Sequence, residues 1–344
     1  MVYRKRPSMI KVNPHRRALC IGLGTTLITT LGSGASVSST TENTKNKQDV
    51  PGMVGRTRKI KTRKEDTLLD IARTNNLGYV EILAANPGVD PWIPGDGTEI
   101  LLPTGHLLPT GPRKGLLLNL VDQRLYYFSP HKGVIQSYPI GTGQEAWGTP
   151  QGTTKVVRKK LNPTWYVPKS ILKAEPELPP IVRPGPDNPL GGHALYLGWA
   201  TYLIHGTNNP WGVGRRVSHG CIRMYPEGIK KLFPQVSLGT QVTIVSEEMK
   251  TGWVNGELMM EVHPNLKQNI EIERGEKTTP AKIPELAYRL VQAAGEKAKF
   301  INWKTVNTLT KERAGLPVPI LKPTHNQLKV SASEAQNRPQ IQSD

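Results

Sequence analysis

Hydrophobic and polar residues alternate along the middle of the chain, in short segments separated by Gly, Asn and Asp. Such alternation places apolar side chains on one face of a β-strand, and the separating residues are typical of turns. The pattern predicts seven strands, over residues 116–121, 124–128, 134–140, 153–158, 194–197, 202–204 and 241–245. One helix is predicted among them, over residues 226–233. A mainly β domain is therefore expected between about residues 113 and 246.

A different pattern precedes this domain, over residues 56–104. A short strand, two amphipathic helices and a closing strand are predicted, with Asp66 or Thr67 capping the first helix. Residues 37–55 are rich in Ser, Thr, Asn and Lys, which is typical of a flexible linker. A Pro- and Gly-containing hinge is predicted over residues 103–112.

The remaining segments show less periodicity. Residues 162–192 are rich in proline and are predicted to form a long ordered loop that could flank a cleft. Residues 247–324 are predicted to form a partly helical extension, with a strand within 253–263 and a helix over 283–297. Residues 325–344 are polar and are predicted to be disordered.

The N-terminus has the pattern of an export signal. Six basic residues and no acidic residue precede an apolar run at 18–31, and Gly34, Ala35 and Ser36 offer a site for cleavage. This run is too short and too glycine-rich for a comfortable membrane span, so residues 1–36 are predicted to be a signal peptide. The alternative is an uncleaved membrane anchor. With cleavage, the mature protein would be periplasmic and would have no transmembrane helix.

Composition adds a strong positive charge. The chain has 45 Lys and Arg against 27 Asp and Glu, a formal net charge of +18. Removal of the basic signal peptide leaves the mature chain basic, which favours a polyanionic partner or surface. The numbers of glycine and proline, 33 and 30, are typical of a turn-rich protein with short strands.

The number and the positions of the cysteines point to a special role for one of them. The chain has two cysteines, and Cys20 lies inside the predicted signal peptide. Cys221 is then the single thiol of an exported protein, without an intramolecular disulfide partner. An inert buried thiol is one explanation, and a reactive thiol is the other.

The neighbours of Cys221 favour reactivity. Two histidines, His205 and His219, lie within sixteen residues of it, and a nucleophilic thiol needs a base or a cation nearby. Pro210, Gly212 and Gly214 allow the intervening loop to fold back, so that His205 can face the sulfur. The backbone amides of His219, Gly220 and Cys221 are predicted to converge as an oxyanion hole, which is the donor arrangement that acyl transfer requires.

A zinc site is the competing interpretation. His193, His205, His219 and Cys221 could supply mixed nitrogen and sulfur ligands. The single thiolate and the awkward spacing of His219 and Cys221 argue against it. Histidines that merely satisfy hydrogen bonds in the core are a third interpretation, and it is the preferred one for His193. The segment Gly141-Thr142-Gly143 precedes no helix and lacks a lysine, so a phosphate loop is not predicted.

These residues resemble the L,D-transpeptidase (YkuD-like) catalytic family. The signature is a His-Gly pair, a spacer and Ser-His-Gly-Cys, which here are His205-Gly206 and Ser218-His219-Gly220-Cys221. Residues 192–198 and 239–242 extend the likeness, which covers about residues 113–246. Residues 184–190 further resemble the ErfK/YbiS-type periplasmic members.

Residues 56–104 resemble a LysM module, a βααβ unit that binds N-acetylglucosamine polymers. The matching features are Asp66-Thr67-Leu68, Ile71-Ala72, Asn86-Pro87 and Ile100-Leu101-Leu102-Pro103. Glu65 stands where that family usually has glycine. A small βααβ spacer that binds nothing is the alternative.

The resemblance implies a YkuD-like β-sandwich and specific roles for site residues. Cys221 would be the nucleophile, His205 the proton donor and acceptor, and the Gly206 carbonyl would orient the imidazole. Ser218, His219 and Gly220 would shape the site, and Arg223 would hold the turn or meet a substrate carboxylate, with a structural ion pair as the alternative.

The resemblance also implies a reaction. A thioester with a peptidoglycan tetrapeptide stem would form with release of D-alanine, without metal or cofactor. Its acceptor would be a stem amine, giving a 3,3 cross-link, or a lysine of an outer-membrane lipoprotein. The expected partners are stem peptides and glycan strands, and nucleic acid is not expected. A non-catalytic wall-binding protein and a zinc-dependent hydrolase are the alternative functions.

Overall fold

The fold is described by a computed structural model that covers residues 52–130, 134–144 and 148–322. The predicted signal peptide over 1–36, the predicted linker up to residue 51 and the predicted disordered tail lie outside these described residues. None of the helices within them is both long and apolar enough to cross a membrane.

The N-terminal part consists of short strands and two helices. They are β1 (Met53–Gly55), β2 (Arg58–Lys61), α1 (Leu68–Thr74), α2 (Tyr79–Ala85), β3 (Glu99–Leu102) and β4 (Gly105–Leu107). Strand β2 pairs antiparallel with β3, and the Thr67 side chain caps α1 by accepting a hydrogen bond from the Asp70 amide. Apolar residues of both helices and β3 form a small core, which includes Leu68, Ile82 and Ile100.

Two predicted boundaries of this part are corrected. The linker predicted over 37–55 ends earlier, because Met53–Gly55 is strand β1. The hinge predicted over 103–112 contains strand β4, which pairs antiparallel with β1. The physical reason is burial: Val54 packs with Leu108, Leu117 and other apolar residues of the central domain, so a short segment gains a partner 50 residues away.

In its described residues, the central part contains eleven strands and two α-helices. In chain order they are β5 (Gly115–Asn119), β6 (Arg124–Phe128), β7 (Ile135–Gly143), β8 (Gly152–Leu161), β9 (Trp165–Tyr166), α3 (Lys169–Ala174), β10 (Ile181–Val182), β11 (His193–Leu197), β12 (Leu203–His205), β13 (Arg216–Ser218), β14 (Ile222–Met224), α4 (Pro226–Leu232) and β15 (Gln241–Val245). All seven predicted strands are present. Strands β7 and β8 are longer than predicted, and the predicted loop over 162–192 contains α3 and the β9–β10 pair.

Nine of these strands form one sheet that closes on itself. Their order is β13-β7-β14-β12-β11-β8-β15-β5-β6, and β6 also pairs with β7. The first half of β7 pairs with β6 and its second half with β14, while β8 pairs with β15 and then with β11. The two long strands therefore belong to both layers of the predicted sandwich. Apolar side chains fill the space between the layers, and Ile229 and Leu232 of α4 pack against them.

The C-terminal part is more regular than predicted. It contains β16 (Met249–Val254), β17 (Glu257–Val262), α5 (Leu266–Glu273), α6 (Leu286–Ala294), α7 (Trp303–Glu312) and β18 (Val318–Pro319). The strand predicted within 253–263 is confirmed as β17, and β16 precedes it as an additional strand: Asn255 and Gly256 both adopt positive φ angles and turn the chain into the β16–β17 hairpin. The helix predicted over 283–297 is the shorter α6.

Candidate active site

Two adjacent parallel strands bring the sequence-predicted base and nucleophile together. Strand β12 pairs with β14 in a register that sets Ile204 opposite Ile222 and His205 opposite Arg223. Ile204 and Ile222 are fully buried in the sandwich core. Because side chains alternate along a strand, His205 and Arg223 lie on the other face of the sheet. Cys221 immediately precedes β14, two positions before the residue that lies opposite His205.

The imidazole of His205 is held in one orientation. Its Nδ1 lies 2.6 Å from the Gly206 carbonyl oxygen, and the side chain is buried. A carbonyl oxygen only accepts hydrogen bonds, so Nδ1 carries the proton in the neutral ring. Burial, reinforced by the charge of Arg223, lowers the pKa of His205 to about 4. The ring is therefore a neutral base at neutral pH.

The thiol of Cys221 is also neutral in this conformation. Its Sγ lies 3.3 Å from the Thr201 carbonyl oxygen, to which the S–H donates. Burial raises the pKa of the thiol, while the Leu203 amide and the positive charge of Arg223 lower it in part. The resting pair is consequently an uncharged thiol and an uncharged imidazole, and the thiolate forms only when a proton is transferred.

Hydrogen bonds within the turn 218–221 fix the approach to the cysteine. Ser218 Oγ donates to the Cys221 carbonyl oxygen at 2.6 Å and accepts from the Gly220 amide at 3.2 Å. The Thr149 hydroxyl donates to the Gly220 carbonyl oxygen at 2.8 Å, and Gly220 adopts a φ of +100°. The amide of Gly220, predicted as an oxyanion donor, is engaged with Ser218 in this conformation, and Gly220 shapes the turn.

The other two predicted residues lie beside a carboxylate from the proline-rich loop. His219 Nε2 is 3.5 Å from Oε1 of Glu175, which follows α3. Arg223 has no carboxylate oxygen within 4 Å in the part of the chain that the structure describes, and Cys221 and Glu175 are the groups that favour its charged form. A structural ion pair, one of the alternatives for Arg223, is therefore not observed there.

The four candidate zinc ligands do not assemble in the described residues. His193 packs edge-on against Phe233 at a ring-centroid distance of 5.0 Å, on the core face of β11 and opposite to the face of His205. The group of His, Cys, Asp and Glu side chains close enough to share an ion is a different one, Asp122, Glu261 and His263. The Lys250 ammonium group lies among their oxygens, at 2.8 Å from Asp122 and 2.7 Å from Glu261.

Comparisons with known proteins show the family of this chain. The L,D-transpeptidase catalytic domain matches residues 113–244. The chain is 38% identical over 259 residues to the probable L,D-transpeptidase YcfS of Escherichia coli K12, covering 73% of this chain and 79% of that protein. This chain belongs to the L,D-transpeptidase family. The probable L,D-transpeptidase ErfK/SrfK of the same strain is 37% identical over 254 residues, with 71% and 78% covered.

Among solved structures, the catalytic domain of an Enterococcus faecium L,D-transpeptidase is similar to part of this transpeptidase. Identity is 24%, the TM-score is 0.29, and 38% of this chain and 95% of that domain are covered. A likeness at this TM-score carries no further conclusion, so the family assignment rests on the sequence relatives.

Three residues of this transpeptidase site were missed by sequence reasoning. Thr201 offers its carbonyl to the thiol and adopts a φ of +71°, Thr149 holds the turn, and Glu175 reaches His219. These residues lie 20 to 72 positions before Cys221 and outside the signature, and no local pattern marks them.

Proposed function

We propose that this L,D-transpeptidase uses Cys221 as its nucleophile and His205 as its proton carrier, on tetrapeptide stems of peptidoglycan. The observation that carries the proposal is the buried imidazole of His205, whose Nδ1 is fixed by the Gly206 carbonyl and which the β12–β14 register sets opposite Arg223, two positions from Cys221. A neutral base of this kind can accept a thiol proton without a preformed ion pair.

In the first half-reaction, the S–H proton passes to His205 Nε2 as sulfur attacks the carbonyl carbon of the third stem residue. Backbone amides of the turn 218–221 are the donors that we assign to the oxyanion, with Gly220 left out because its amide is engaged. The His205 proton then passes to the nitrogen of the departing D-alanine. A thioester on Cys221 remains.

In the second half-reaction, an amine attacks the thioester carbonyl. One N–H proton passes to His205 and then to the departing sulfur, so that the thiol and the neutral imidazole are restored. A stem amine as acceptor gives a 3,3 cross-link, a lipoprotein lysine gives a covalent anchor, and water gives a carboxypeptidase. Arg223, half-buried beside Cys221, is the cation that we assign to a carboxylate of the donor stem.

We also propose a setting for this reaction. Export through the predicted signal peptide at 1–36 would place the chain in the periplasm, where the net charge of +12 that remains without the six basic residues of that peptide suits the anionic wall. The βααβ order of β2, α1, α2 and β3 supports a LysM-like role for residues 56–104. Trp92 and Ile93, which are 60% and 77% exposed on a turn of that unit, offer an apolar surface to a sugar ring.

The proposal is tested with purified wild-type protein and the Cys221→Ala variant on disaccharide tetrapeptides. The wild type should release D-alanine and form cross-linked or exchanged products that mass spectrometry identifies, and the variant should form none. Exchange by the variant would contradict the assignment of Cys221 as the nucleophile. Stoichiometric zinc together with loss of activity in a chelator would favour a zinc hydrolase instead.

A further inference from the structure

One carboxylate from outside the signature reaches the site. Glu175 follows α3 in the proline-rich loop, and its Oε1 lies 3.5 Å from His219 Nε2. Its backbone is anchored, because the Glu175 amide donates to the carbonyl of Ile171 at 2.7 Å and the Ile171 side chain is buried. The Glu175 carboxylate itself is half-exposed, so a molecule that enters from solvent can reach it.

The charges around Cys221 are therefore of two kinds. The positive charge of Arg223 favours a lower pKa for both the Cys221 thiol and His205. The negative charge of Glu175 favours the charged form of Arg223. In the described part of the chain no other carboxylate shifts the pKa of Cys221, His205 or Arg223. In a chain as basic as this one, a carboxylate that contacts the signature residue His219 calls for an explanation.

The two substrates of the proposed reaction differ in charge in the same way. The acyl donor ends in a carboxylate, which suits Arg223. The acceptor is a primary amine, which is an ammonium ion at neutral pH. We propose that Glu175, together with His219, forms the binding site for the ammonium group of the acyl acceptor. This inference rests on the proposed function and names the acceptor side of the same site.

The chemistry balances with these two residues. The ammonium group donates a charge-assisted hydrogen bond to Glu175 and loses one proton to the adjacent imidazole of His219, which exchanges it with solvent. The free amine then attacks the thioester on Cys221, its second proton passes through His205 to the departing sulfur, and an amide forms. Glu175 is a binding residue in this scheme and forms no covalent bond.

The test is the partition of the acyl-enzyme between an amine and water. Wild type and Glu175→Gln are acylated by a tetrapeptide donor, and transfer is compared for a lysine side-chain amine and for hydroxylamine, which is uncharged at neutral pH. Loss of a charge-assisted hydrogen bond should lower the ratio of aminolysis to hydrolysis for the lysine amine by about tenfold. Transfer to hydroxylamine should change by less than about twofold, because that nucleophile carries no charge.

Two further variants complete the design. Glu177→Gln removes the same charge from an exposed position two residues away and should partition like the wild type. Glu175→Asp keeps the charge and should recover part of the amine transfer. An equal loss for both nucleophiles in Glu175→Gln would show a merely structural role and overturn the inference.

The outcomes separate this inference from the proposed function. Absence of an acyl-enzyme on wild-type Cys221 would remove the proposed function and this inference with it. A wild-type acyl-enzyme that partitions identically in Glu175→Gln would leave the function intact and remove only the role of Glu175.

Discussion

At the scale of single residues, the site combines a weak acid and a weak base that are both uncharged at rest. Burial raises the pKa of the Cys221 thiol and lowers the pKa of His205 to about 4. An ion pair of thiolate and imidazolium would need the opposite shifts. Keeping both groups neutral protects the thiol from oxidation, because oxidants react with the thiolate. It also makes proton transfer to His205 part of the attack on substrate.

At the scale of elements, the loop that precedes the cysteine is hydrogen-bonded to the βααβ unit. The amides of Tyr79 and Val80, at the start of α2, donate to the carbonyls of Val213 and Gly214 at 3.4 and 3.2 Å. These helix amides have no partner within the helix, so the loop satisfies them. The βααβ unit therefore positions the segment between β12 and β13, in addition to any sugar that it binds.

Gly214→Ala tests this support. A Cβ at Gly214 would lie 2.2 Å from the Tyr79 nitrogen and 2.3 Å from the Gly78 Cα, and the residue has a φ of +75°. We expect slower acylation of Cys221. The free energy of unfolding should fall by about 1–2 kcal/mol from backbone strain and by roughly a further 1–3 kcal/mol from the clash. Urea unfolding and acylation kinetics measure the two effects.

Gly239→Ala is the matched control for that substitution. Gly239 has a φ of +81° and no atom within 4 Å of its built Cβ, so its alanine variant should show only the backbone strain and unchanged acylation. Equal effects of the two substitutions on both stability and acylation would contradict a supporting role for α2.

At the scale of the whole molecule, a buried ionic cluster joins the three parts of the chain. The Lys250 ammonium group from β16 bonds to Asp122 at 2.8 Å, to Glu261 at 2.7 Å and to the Tyr126 hydroxyl at 3.0 Å. His263 Nε2 lies 2.6 Å from Glu261. The cluster extends to the N-terminal part, where Glu81 pairs with Arg124 at 2.8 Å and His106 Nδ1 lies 3.6 Å from Glu81. Such charges are stable in a core only with their partners present.

Lys250→Met should be strongly destabilising. The substitution leaves the buried carboxylates of Asp122 and Glu261 without their ammonium partner, so we expect a loss of about 3–5 kcal/mol in the free energy of unfolding. Lys59→Met is the control, because the Lys59–Glu99 pair is also short, at 2.6 Å, but exposed. Loss of this pair should lower the free energy of unfolding by less than about 1 kcal/mol. Similar losses for the two variants in urea unfolding would contradict the role of the cluster.

The sequence predicted best what local patterns encode. Alternation located the strands, and the spacing of His205 and Cys221 located the site. The Asn255-Gly256 turn is also encoded locally, because both residues adopt the positive φ angles that this dipeptide favours in hairpins. The pairing of β1 with β4, the ion pairs of Lys250 and the approach of Glu175 to His219 depend on residues far apart in the chain. No local pattern records such contacts, because tertiary packing creates them.

The central claim is that a neutral His205 takes the proton of a neutral Cys221. Its most direct test is the rate at which a carbapenem acylates Cys221, followed by intact-protein mass spectrometry from about pH 5 to about pH 8 in the wild type and in His205→Asn. Because the lowered pKa of His205, about 4, keeps the ring neutral over this whole range, the wild-type rate should be nearly constant.

In His205→Asn the unassisted thiol reacts only as thiolate, so acylation should be slower and should rise about tenfold per pH unit. A wild-type rate that rises with the same slope, or a variant that reacts as fast as the wild type, would contradict the account.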